Sequence, residues 1–456
     1  MQSYNKLAIK NHEELIMGVS PHPVKCGNNL IIGNGKVYPE INFTLPTMLI
    51  TQETMGTVKK HYSEMMENIL TRAKSLNAPG LVVEFEQLPP MTDTPEWGAE
   101  ITELIKNKLD KFYVETNIPN ALRVTVLDLR DADKPPLLRT GIPTEKTLKG
   151  FELSAQAGAD ILSIESVGAK EVHDQALMYG DLYGMVASLG ILAHRDMSWL
   201  WKYISEVANK YGIISGGDSA CGFANTAMQL SGQGMLPNVL AALDRAASAP
   251  RSLAAFEQGA VGPSKDCAYE GPIIKAITGY PISMEGKSAC CAHYSPLGNI
   301  AAATTDLWSN ESVQNVRLLS GNAPEAFMEL LEYDCRLYNT ALDSGNGIMM
   351  RDMLVKSDVS HSVEALMLDP KVVIDIAQSI VNETGGYAQT KAAVVTAFNA
   401  IENALIKNTL TLSDTEKEWI EKMRTAISSF ANTEDEAIEY LQMMYGEYFK
   451  LESYGL

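Results

Sequence analysis

From about residue 78 the chain repeats one pattern: a short apolar run ending in polar or acidic residues, then a stretch of helical period. The runs "APGLVVEFEQ", "ALRVTVLDLRD", "GADILSIESVG", "YGIISGGDSAC", "RSLAAFEQGAVG" and "YPISMEGKSACC" make at least six such units. Helical connections imply crossovers, and crossovers imply a parallel sheet. An open doubly wound sheet concentrates its chemistry at one switch point, whereas a closed (β/α)8 barrel collects it from the C-terminal ends of many strands. Here Glu84, Asp128, Glu165, Asp218, Cys221, Cys267 and Glu285 lie at or just after the ends of different runs. The pattern therefore predicts an α/β fold of the (β/α)8 type. "VQNVRLLSG" is the candidate seventh strand, and no eighth is evident.

The flanks read differently. Residues 1–77 form a lead-in: "LIIGNGKVYPEINF" places apolar residues on both sides of Asn34-Gly35, a hairpin signal, and "TVKKHYSEMMENILTRAKSL" is an amphipathic helix. The barrel then occupies 78–360. Residues 361–456 carry no strand signal and form a helical appendix, in which Ser413/Glu416 and Thr433/Glu436 have capping-box spacing.

A formal net charge of −19 argues against a nucleic-acid or anionic-membrane surface, since both require a cationic face. Six cysteines in 456 residues are too few for a disulfide framework. No apolar run approaches the roughly 20 residues of a membrane span. The expectation is a reduced, cytoplasmic protein acting on a small molecule or a protein partner.

Common catalytic signatures fail letter by letter. "SMEGKS" ends like a phosphate-binding loop but has Pro281 where the first glycine belongs, and "GDSAC" has Cys221 where a nucleophile elbow needs glycine. What remains is Glu165, Cys221 and Cys267. Each follows a different strand candidate, so a barrel would bring them to one mouth. Two thiolates and a carboxylate with an open fourth position describe a catalytic zinc site, and the harder carboxylate suits polarising an oxygen. A lone cysteine is more often an inert buried thiol, so it is the shared placement that carries the reading. Asp218 is the alternative oxygen ligand. His293 is a candidate neighbour of the ligands or proton carrier, with a structural role as its competitor. Cys290 and Cys291 read as core residues on a strand, and Cys26 and Cys335 as structural.

The segments "SIESVGAKEVHD", "GGDSACGFANTAM", "APRSLAAFEQGAVGPSKDCAYE", "IKAITGYPISMEGK" and "LWSNESV" resemble the zinc-containing subunit of methanol–corrinoid protein methyltransferases, which starts methanol use in methylotrophic methanogens and many acetogens. The resemblance extends to "PEWGAEI" and to "PVKCG…YPEINF" and covers nearly the whole chain. It implies a barrel holding zinc through Glu165, Cys221 and Cys267. It also implies methyl transfer from methanol to the Co(I) form of a corrinoid on a separate protein, and a homodimer of barrels carrying corrinoid subunits. No DxHxxG segment, which corrinoid-binding proteins use for the lower cobalt ligand, occurs here. A sister methyltransferase for another small methyl donor, a zinc hydrolase or lyase on the same barrel, and a non-catalytic metal-binding scaffold or regulatory subunit are the alternatives.

Overall fold

The computed structural model describes residues 2–265, 269–310, 317–318 and 321–456. Seven strands form one wholly parallel, curled sheet: β3 (Tyr38–Asn42), β4 (Leu81–Glu86), β5 (Asn120–Leu127), β6 (Ile161–Glu165), β7 (Ile214–Gly217), β8 (Ser283–Glu285) and β9 (Leu307–Ser309). Their order is β7-β6-β5-β4-β3-β9-β8. Residues 261–265 lie between the two ends of this sheet. Val261 N–H donates to Ser215 O beside β7 at 3.0 Å, and Ser264 bridges in parallel to Ile282 beside β8. This irregular segment completes the ring of eight that the repeated pattern predicts.

The strands are buried along most of their length because helices cover one face and the barrel interior the other. In β4, "LVVEFE", the first five residues are all buried. The outer layer includes the helices Met55–Leu76, Pro95–Thr116, Ile142–Gln156, His194–Tyr211 and Asn238–Glu257. Helices continue through the C-terminal region as Pro370–Val381, Gly386–Ile406, Asp414–Ser428 and Glu434–Tyr445. Among the described residues no helix is long and apolar enough to cross a membrane.

Several local expectations are corrected. A hairpin is present, but it does not turn at Asn34-Gly35. Strand β2 (Leu30–Asn34) pairs antiparallel with β1 (Val19–Cys26) across Gly27–Asn29. "YPEIN" is instead the first barrel strand, parallel to β4 and β9. "RSLAAFE" is the end of the helix Asn238–Glu257, as its alanine content favours, and the wall segment begins only at Val261. The predicted seventh strand, 313–321, falls mostly outside the described residues; its Arg317–Leu318 (β10) pairs with Gly321–Asn322 (β11) in a separate two-stranded sheet. The last two barrel strands are β8 and β9. "KSACCA" is a helix, Lys287–Ala292, with Cys290 buried and Cys291 exposed, so the core assignment of Cys291 does not hold. Thr433 and Glu436 form a reciprocal capping box. Ser413 caps its helix, but the Glu416 carboxylate accepts from Asn238 N–H at 2.8 Å and Val239 N–H at 3.1 Å, serving a neighbouring helix start instead.

At the N-terminal end of the barrel, Asp306 is fully buried and accepts from Lys275 Nζ (2.9 Å), Ser20 Oγ (3.0 Å) and Ile282 N–H (2.9 Å). Removing one partner of a buried ion pair leaves the other charge uncompensated. Asp306→Ala is expected to cost about 3–5 kcal/mol, read as a lower urea midpoint. An unchanged midpoint would show that this pair does not hold the barrel floor.

Candidate functional site

Glu165 ends β6 and reaches the C-terminal mouth with 36% of its side chain exposed. The buried Lys265 lies 3.5 Å from its Oε1 and 2.7 Å from Oε1 of Glu84. Thr125 Oγ1 donates to the same Glu84 oxygen at 2.6 Å. Burial works against a charge on Glu84, but Lys265 and then Arg123 outweigh it and hold the carboxyl below its usual range. Glu165 moves the other way: burial first, then Glu86, push it up to about 8 against the pull of Lys265. Glu84 and Asp218 add to that rise. One lysine thus serves a carboxylate-rich mouth.

Asp218 follows β7 and is fully buried. Its Oδ2 accepts from Ser166 Oγ at 2.6 Å, Ser166 N–H at 3.2 Å and Arg251 Nη2 at 3.2 Å. Burial pushes its carboxyl up to about 6, with Arg251 opposing. Because Ser166 adjoins Glu165, this bracket fixes the direction in which β6 leaves the barrel. Asp218 therefore supports Glu165 from the side.

Cys221 opens a π-helical turn, Cys221–Asn225, that leads into the helix Thr226–Gly232. It is buried. Strands β6 and β7 are neighbours, so Glu165 and Cys221 issue from adjacent strand ends. Behind the turn, the Phe223 ring packs edge-on to His173, centroids 5.1 Å apart. His173 Nε2 lies 2.9 Å from Asp244 Oδ1, both buried. Burial disfavours the imidazolium, yet Asp244, with Asp174 in support, pushes His173 up to about 9.

Cys267 lies outside the described residues. Among those described, no group of three His, Cys, Asp or Glu side chains is arranged to hold a metal. His293 ends the helix Lys287–Ala292, with Nδ1 3.5 Å from Glu285 Oε2 and Nε2 3.5 Å from Asn225 Nδ2, the last residue of the Cys221 turn. Asp128 directly follows β5 and is held in a buried ion-pair network. The Arg130 guanidinium forks between Asp128 (2.7 and 2.8 Å) and Asp196 (2.8 and 2.9 Å), and Asp128 Oδ2 accepts Val167 N–H at 3.1 Å. Sequence reasoning missed Lys265, Ser166 and Arg251. Only Lys265 carried a signal, as a cation inside "GPSKDC" beside a predicted ligand.

The His173 pair sets a pH dependence. The folded value lies above the ordinary 6.5, so the stability contributed by the imidazolium is whole below about pH 6.5 and is lost as pH rises through about 9. Wild-type protein is expected to lose urea resistance over that window relative to Asp244→Asn. Parallel pH profiles would refute the pair's role.

Comparison with known proteins gives one consistent outcome. A family model described as methanol-cobalamin methyltransferase B subunit matches residues 1–455. A methanol–corrinoid protein co-methyltransferase of Methanosarcina barkeri is 38% identical over 460 residues, covering 99% of each chain. A chain in the crystal structure of the methanol:cobalamin methyltransferase complex MtaBC from Methanosarcina barkeri matches with a TM-score of 0.95 at 37% identity, covering 100% of both chains.

Proposed function

Because the chain belongs to the methanol-cobalamin methyltransferase B subunit family, we propose that it transfers the methyl group of methanol to a corrinoid carried by a partner protein. The carrying observation is the full-length match to a methanol–corrinoid protein co-methyltransferase, in a fold where Glu165 ends β6 and Cys221 follows the neighbouring β7. The partner reading draws support from the relative's crystallisation as a methanol:cobalamin methyltransferase complex. A homodimer of barrels is part of the same proposal.

We assign zinc to Glu165, Cys221 and Cys267, with the sulfurs reduced. The fit rests on the donor chemistry of one carboxylate and two sulfurs, with Glu165 and Cys221 following the adjacent strands β6 and β7. When bound, zinc would supply Lewis acidity toward the methanol oxygen, whose departure as hydroxide is otherwise very unfavourable. The chain's own residues do the positioning. Ser166 and Asp218 fix the exit of β6, Lys265 offsets Glu84 and approaches Glu165, and His293 with Glu285 borders the Cys221 turn. The methyl–oxygen bond breaks as the Co(I) corrinoid supplies the electron pair of the new cobalt–carbon bond.

The test is a spectral change from cob(I)alamin to methylcobalamin requiring protein, zinc and methanol together. Methylation from another donor but not from methanol would move the reading to a sister methyltransferase. No transfer from any donor, to free cobalamin or to the corrinoid partner, would favour a hydrolase or lyase.

Two variants test the ligands. Reduced wild-type protein is expected to hold about one zinc per chain, and Cys221→Ser to lose both metal and turnover while keeping its circular dichroism spectrum. Glu165→Gln keeps the shape and removes the charge, so weaker metal retention and a large fall in turnover are expected. Full zinc and normal rates in both variants would remove these residues from the site.

A further inference from the structure

Resting on the zinc reading above, we propose that Glu270 is the positioning residue for the Cys221 ligand. Its carboxylate is buried, 1% exposed. Oε1 accepts from Ala220 N–H at 2.9 Å and from Ser252 Oγ at 2.6 Å, and Oε2 accepts from Ser219 Oγ at 3.1 Å. Ser219 and Ala220 are the two residues before Cys221, and Cys221 N–H closes back onto Ser219 O at 2.9 Å. A single side chain therefore fixes the short stretch that aims the sulfur.

Three features separate this role from ordinary helix capping or charge pairing. Glu270 is the N-cap of the helix Gly271–Thr278, yet its side chain makes no capping hydrogen bond to that helix. It turns toward the 219–220 segment instead. Among the described residues no Lys, Arg or His forms an ion pair with it, so it is a buried carboxylate whose described partners are one amide and two hydroxyls. Burying a carboxylate without a cation is costly. A carboxylate is nevertheless the side chain that can accept from all three donors at once. Groups that orient a metal ligand are held in this way, and their loss typically weakens metal binding by about 10–100-fold.

The experiment compares wild type, Glu270→Ala and Glu270→Gln as reduced full-length proteins. Zinc affinity is measured by competition with a chromophoric chelator, and the ligand field by substituting Co(II) and recording its thiolate charge-transfer and d–d absorption. Glu270→Ala is expected to bind zinc about 10–100-fold more weakly and to change the cobalt spectrum, with the thermal melt showing a folded protein. Glu270→Gln is expected to lie between, because its amide oxygen can still accept from Ala220. Should Glu270→Ala not fold, Glu270→Gln decides on the same two readouts. Wild-type zinc affinity together with a wild-type cobalt spectrum in the folded variants overturns this inference alone. Wild-type protein that takes up neither metal overturns the zinc reading, and this inference with it.

Discussion

A barrel with charge at its centre holds only if each charge meets its counterpart across the wall, and Arg123 is where that condition is met. Its guanidinium is fully buried: Nε donates to Glu40 Oε1 at 2.6 Å, and Nη1 donates to Ser163 Oγ and Pro263 O, each at 2.9 Å. Ser283 Oγ donates to the other oxygen of Glu40. These contacts join β3, β5, β6, β8 and the 261–265 segment. That segment has no regular ladder of its own, so the bond to Pro263 O contributes to its place in the ring. A guanidinium suits the position because its planar fork offers several donors at fixed angles. Removing either charge would leave the other uncompensated in the interior.

The next layer toward the mouth depends on this one. Arg123 helps hold Glu84 ionised, Glu84 holds Lys265, and Lys265 approaches Glu165. Acidity at the mouth is thereby graded. Glu84 is neutralised below, whereas Glu165 faces Glu86, Glu84 and Asp218 with one lysine near and rises to about 8. The gradient keeps the ionised carboxylate within the wall, beside its cations, and sets the more readily protonated carboxyl at the mouth.

Much of this was legible in the sequence, and the rest was not for reasons of scale. Strands β4, β5 and β6 are five to eight residues long and strongly apolar, so periodicity found them. Strand β8 fell within the run "YPISMEGKSACC", whereas β9, with three residues and no such run around it, was too short for any period to register. The first barrel strand was hidden because Asn34-Gly35 is a strong hairpin signal standing beside it. Gly27 and Asn29, both at positive φ, make the turn that is used. The strand-end positions of Glu165 and Cys221 were readable because such positions are themselves a sequence property. Their supports were not: the bonds from Asp218 to Ser166 and from Lys265 to Glu84 span 52 and 181 residues, and local pattern cannot pair residues at that distance.

The two described residues among the proposed zinc ligands are held by different physical means. Glu165 arrives on a strand whose direction is set by the parallel ladder to β5 and by the Asp218 bracket on Ser166. Its position is a property of the barrel. Cys221 arrives four residues beyond the end of β7, at the start of a π-helical turn, where the wider winding re-aims side chains relative to an α-helix. That conformation has no ladder behind it. It is supported by Phe223 against His173, and by Asp244 opposite the imidazole. The carboxylate is therefore as rigid as the sheet, whereas the sulfur is as rigid as the side chains packed around one turn. Substitutions behind that turn can move the sulfur without disturbing the barrel, so the site's geometry is adjustable from the Cys221 side and fixed from the Glu165 side.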